Sequence, residues 1–115
     1  MDQMIVSTTP IIPGYKVVRV LGVVSGMTAR TRGIGGKFVA GIQSIVGGEV
    51  SAFTEEIVKA RDEALRRVMD QARALGANAI IGLDFETSEI FETVVLISAT
   101  GTAAVIEQEN LPPPP

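Results

Sequence analysis

The chain has no cysteine, no histidine and no tryptophan. Without cysteine there are no disulfides, no thiol nucleophile and no thiolate metal ligand. Without histidine, imidazole zinc sites, His-based acid–base catalysis and Ser-His-Asp triads are excluded together. Four phenylalanines and one tyrosine leave little for stacking on nucleic-acid bases. Positive charge is short as well: the net charge is −3 and the pI near 4.9, whereas nucleic acid rewards a basic face. No run of about 18 uncharged apolar residues occurs, so no membrane-spanning helix is expected. No basic stretch precedes an apolar one at the N-terminus, which argues against a signal peptide and for a cytoplasmic location.

What remains is unusually apolar. In 115 residues, 46% are hydrophobic and the mean hydropathy is +0.34. A chain this short is expected to form one domain, here 1–108, and a monomer of its size buries only about two-thirds of its unfolded surface. The surplus apolar side chains need a surface other than water, and self-association is the leading way to supply one.

Hydrophobic periodicity predicts the elements. Residues 4–9 read as a short strand that stops before Pro10, and Pro10, Pro13 and Gly14 make a turn. Residues 15–24 form the clearest strand, with Tyr15, Val17, Leu21 and Val23 on one face and Val18, Val20 and Val24 on the other. Such a strand is expected to be covered on both sides. A Gly-rich loop follows over 27–37, then a short helix over 38–46 stopped by Gly47 and Gly48. The long helix is predicted over 51–75. Ile57, Ala60, Ala64, Val68, Ala72 and Leu75 make its apolar stripe, widened by Val58, Leu65 and Met69. Ser51 or Thr54 is expected to cap it, and Glu55 and Glu56 to suit its positive end. Glu55–Lys59, Asp62–Arg66 and Glu63–Arg67 are opposite charges at i,i+4.

After the helix, Gly76 stands where the chain must turn left-handed, and Ala77 and Asn78 make a very short connection. Residues 79–85 then re-enter the sheet, with Ile81, Leu83 and Phe85 facing the helix. A turn over 87–91 leads to a last strand over 93–106, and 109–115 is a disordered proline-rich tail. The fold class is therefore α+β: a small antiparallel sheet with one long and one short helix, in the order β-β-α-α-β-β. One helix covers one sheet face. Val18, Val20, Val24, Val94, Leu96, Ala104 and Ile106 then look to a second subunit on the other.

Chemistry is sparse. The stretch TRGIGGKF over 31–38 suggests a phosphate loop, but Thr31 and Phe38 stand where the Walker pattern requires glycine and Ser or Thr. Arg19, Arg30, Arg32 and Lys37 are candidates to gather around an anion in a ring of subunits. Asp84, Glu86, Glu89 and Glu92 form an acidic cluster that fits either a solvated sheet face or oxygens for a hard cation. Gly22, Gly26, Gly82 and Gly101 lie in or beside strands, where they mark either a bulge or kink, or a close backbone approach between subunits. No catalytic residue, metal ligand or cofactor site is assigned.

The stretches IVSTTP, GVVSG, IVGGE, ARDEALRRVMDQARALGANAIIG and GTAAVI resemble, in order and spacing, the YbjQ-like family of bacterial and archaeal proteins. The resemblance covers nearly all of 4–106. It implies a dodecin-like α+β subunit and a homopentameric ring. The family carries a heavy-metal-binding label, yet this chain has none of the soft or imidazole ligands such metals prefer. It also departs near the short helix, where Gly36 and Lys37 replace an Arg-Asp pair expected in relatives. The function expected is a non-enzymatic homo-oligomeric binding or structural module. Alternatives are a carboxylate-based metal-binding protein, or an enzyme with a site between subunits.

Overall fold

The structure is a computed structural model that describes residues 3–31, 51–91 and 94–110. In chain order the elements are β1 (Ile5–Val6), β2 (Tyr15–Thr31), α1 (Ser51–Ala74), β3 (Ala79–Phe91) and β4 (Val94–Gln108). The strands form one four-stranded sheet in the order β1-β3-β4-β2. Adjacent β3 and β4 are joined by a connection too short for anything but antiparallel pairing. Glu109, just past β4, donates its N–H to Gly14 O just before β2 at 2.8 Å, so the end of one strand meets the start of the other. β1 runs parallel to β3, with Ile5 opposite Ala79 and Val6 opposite Ile80. The expected antiparallel sheet is thus a mixed one. Sequence patterning reports which faces are buried and carries no sign for strand direction. The order over the described residues is β-β-α-β-β, with one helix between the strand pairs; the short helix expected over 38–46 lies outside them, as does the tail.

The chain forms two compact units. The first draws on Met1–Ser25, Val68–Asp84 and Thr100–Pro115. Its buried side chains include Val24, Val68, Ala72, Ile80, Leu83, Ala104 and Ile106, each large aliphatic being worth roughly 1.5–3 kcal/mol of burial. Here α1 ends in a Schellman motif: Gly76 N–H donates to Arg73 O at 2.9 Å and Ala77 N–H to Ala72 O at 3.0 Å. Gly76 has φ of 89°, the left-handed turn that a Cβ would disfavour.

β3 bulges in this unit. Ser7 N–H donates to Ile80 O at 2.9 Å, and Ser7 O accepts from Leu83 N–H at 3.0 Å. Two residues, Ile81 and Gly82, therefore stand opposite one. The extra residue breaks strict alternation. Ile80 and Leu83 are both buried, while Ile81 and Phe85, expected to share a face with Leu83, are only half-buried. Gly101 is buried against the same stretch, where a Cβ would lie 2.7 Å from Ile80 Cγ2. That close approach is within the chain.

The second unit draws on Gly26–Arg67 and Phe85–Ala99, with Ala60, Ala64, Val95, Ile97 and Ala99 buried, and Thr28 as its buried polar residue. β2 continues here to Thr31, where a loop was predicted, because Gly26 and Thr28 turn inward and neither advertises an apolar face. β3 runs on through the predicted turn to Phe91, with 86–90 polar or exposed. Thr54 lies inside α1, and the first turn of the helix holds no acidic residue. Glu55 and Glu56 come too late to meet the dipole.

Candidate functional site

In the first unit, Asn78 follows the Schellman turn directly and its amide acts as a strand residue would. Asn78 Nδ2 donates to Ile106 O at 3.0 Å, and Oδ1 accepts from Ile106 N–H at 2.8 Å. Its backbone does the same: Asn78 N–H donates to Ala104 O at 3.1 Å, and its carbonyl accepts from Ile5 N–H at 3.2 Å. One residue thereby fastens β1 and the end of β4 to the helix terminus. Two hollows flank it. One of about 290 Å³ is lined by Gln3, Met4, Arg73, Gly76, Ala77 and Asn78. The other, of about 320 Å³, is lined by Gln3, Ile5, Tyr15, Asn78 and Ile106. Their polar groups are amides, a phenol and a guanidinium, with Arg73 held 3.2 Å from Asp70. Such groups can donate and accept hydrogen bonds, and no carboxylate lines either hollow.

The second unit carries the charged cluster. Arg30 Nη2 donates to Glu63 Oε2 at 2.7 Å, and Arg30 Nε stands 3.6 Å from Glu56 Oε2. Nε is buried without a hydrogen-bond partner. Arg67 reaches both Glu63, one turn earlier, and Met27 O on β2. The Arg30 hydrogen bond, with the charges of Arg67, Arg30 and Arg66, holds the Glu63 carboxyl below its ordinary 4.5, although burial opposes this. Of the expected i,i+4 pairs, Glu63–Arg67 is made; Lys59 instead lies 3.9 Å from Glu56. Arg61 sits 4.6 Å from the Phe85 ring centroid, a cation–π contact.

Arg30 spends its charge on Glu63 and Glu56, so it is not held open for an anion. Arg19 is exposed on β2, and Arg32 and Lys37 lie outside the described residues with the glycine loop. Asp84, Glu86 and Glu89 are exposed along β3, and Glu92 is outside. Among the described residues no three acidic side chains gather to hold a metal ion. Gln3, Tyr15 and Arg73 escaped the sequence reading, because only the parallel pairing of β1 brings Gln3 beside Asn78.

The surface with the strongest physical demand is β2. Val17 and Val18 are 42% and 41% exposed, Val20 66% and Val23 75%. Val24, Ala104 and Ile106, expected to need a second subunit, are buried within the chain, and Val94 and Leu96 are half-buried. Ile11, Met27, Val58, Leu75 and Ile90 are exposed singly elsewhere, while the valines gather on the first half of one edge strand.

Comparison with known proteins points one way. The family described as "Putative heavy-metal-binding", YbjQ, matches residues 4–107. A UPF0145 protein of Bradyrhizobium is 49% identical over 105 residues, covering 91% of this chain and 95% of that one. A UPF0145 protein of Picrophilus torridus is 43% identical over 107 residues, covering 93% and 91%. A crystal structure of a protein of unknown function from Pediococcus pentosaceus, of the DUF74 family, matches with a TM-score of 0.61 at 20% identity. The match covers 90% of this chain and 98% of that one, and it speaks for the fold alone.

Proposed function

The chain belongs to the YbjQ-like family, and from that premise we propose that it is a non-enzymatic module that works as a closed homo-oligomer. The observation that carries this reading is the exposed valine run of β2. Val17, Val18, Val20 and Val23 lie on an edge strand, where unpaired backbone and apolar side chains together invite another chain. A second copy is the partner always at hand. The family resemblance supports a homopentamer of dodecin-like subunits, and the reading locates it in the cytoplasm. A binding or structural role, rather than catalysis, is supported by the missing histidine and cysteine and by hollows lined with amides and a phenol.

Light scattering behind size exclusion tests this. The expected species is an oligomer, and Val20→Asp is expected to dissociate or unfold it, because an unpaired charge in a buried interface costs several kcal/mol. A folded 12.1 kDa species at micromolar concentration would overturn assembly. A closed ring of another order would overturn only the count of five.

The family's heavy-metal label does not fit these residues. Zinc, copper and cadmium favour thiolate and imidazole, and the chain has neither. Titration with each ion against a competing chelator is expected to find no stoichiometric site. One of micromolar affinity or tighter would reinstate the label.

A further inference from the structure

Among the described residues the sheet has two different open edges, and their charges are opposite. On β2 every charged residue is basic: Lys16, Arg19 and Arg30. On β3 every charged residue is acidic: Asp84, Glu86 and Glu89. The two strands lie at different places in the order β1-β3-β4-β2. Among the described residues β2 is an edge strand, but two of its later backbone groups are already taken by α1. Ser25 N–H donates to Gln71 Oε1 at 2.8 Å, and Met27 O accepts from Arg67. Its earlier part, with Lys16, Arg19 and the exposed valines, has no such cover among the described residues. β3 is edged by β1 only at its beginning: Ile5 and Val6 face Ala79 and Ile80, and the last bond on that side reaches Leu83. From Asp84 onward no strand flanks β3 on that side among the described residues.

We propose that copies of this chain join head to tail, the early part of β2 in one copy lying along the acidic part of β3 in the next. This rests on the self-assembly just proposed and adds which edges meet. Cross-strand pairs of opposite charge favour a β2–β3 junction, whereas β2 against β2 sets base on base and β3 against β3 sets acid on acid. The charge pattern thus rejects the two-fold dimer that a single sticky edge would form. A contact between two different edges is heterologous, and it closes into a ring or runs on as a filament. The valines supply apolar burial along the junction, and the charges supply its direction.

Charge reversal tests the assignment. Lys16→Glu with Arg19→Glu makes both edges acidic, and Asp84→Lys with Glu86→Lys makes both basic. All four side chains are exposed, so each variant is expected to keep the helix signal of circular dichroism while its assembly weakens by about tenfold or more. Carrying all four changes in one chain exchanges the signs and is expected to restore the native size by light scattering. Loss of assembly with no recovery in the fourfold variant would overturn the edge assignment, as would full assembly of both reversals. A wild-type chain that is itself a folded monomer would remove the self-assembly reading beneath it.

Discussion

The two units of the molecule are held by different forces. Around Asn78 the fastenings are neutral: a Schellman turn, a bulge, and an amide that bonds both backbone groups of Ile106. Around Glu63 they are ionic: Arg30, Arg67 and a carboxyl held below its ordinary value. Neutral hydrogen bonds to backbone are indifferent to salt and to pH across the carboxylate range. Part-exposed ion pairs are weakened by both. The first unit should therefore fail through mutation and the second through solution conditions.

The sharpest way to break this contrast is Asn78→Ala. It leaves the N–H and the carbonyl of Ile106 without their partners, at a cost of about 2 kcal/mol. Denaturant melts at fixed protein concentration are expected to show that loss equally at low and high salt. A midpoint unchanged from the wild type would mean the amide is not a fastening. Gly76→Ala should cost less, about 1 kcal/mol, through the left-handed turn alone; an unchanged midpoint would refute the Schellman assignment.

The smallest effect is the one that sharpens the other half. Glu63 has a depressed pKa in the folded chain. Its contribution is therefore complete above the ordinary carboxylate value and is lost as pH falls through the lowered one. Glu63→Gln should lower the melting midpoint modestly at neutral pH and flatten its fall below about pH 5. Added salt should narrow the gap between variant and wild type. A variant with the same acid slope as the wild type would place the pH sensitivity elsewhere.

Much of the first unit was legible because its rules are local. The stripe of Val68 and Ala72 and the stop at Gly76 need only neighbours three or four residues away. Gly82 marks a bulge or a close approach in the sequence, and only the hydrogen bonds with Ser7, far away in sequence, decide for the bulge and show that Ile81 and Gly82 share one place. In the second unit Glu63–Arg67 was readable as an i,i+4 pair. Arg30 stands among the anion candidates in the sequence because its partner Glu63 is 33 residues distant. The hollows beside Asn78 were invisible for the same reason: Gln3, Tyr15 and Ile106 converge through strand pairing, and composition does not report it. Val18 and Val20 are exposed as expected, but Val17 and Val23, on the other strand face, are exposed too, and Val24, Ala104 and Ile106 are buried within the chain, because patterning cannot tell burial within a chain from burial between chains.

Asn78 also ties the fold to its own chemical ageing. Asparagine is among the residues that heat destroys. Conversion to aspartate would replace Nδ2 with an oxygen and set two acceptors face to face across the present 3.0 Å contact with the Ile106 carbonyl. The bond from Ile106 N–H to Oδ1 would survive, so the end of β4 would loosen on one side only. A single hydrolysed amide, invisible to any change in sequence, would thus mark old molecules at the junction where helix, first strand and last strand meet.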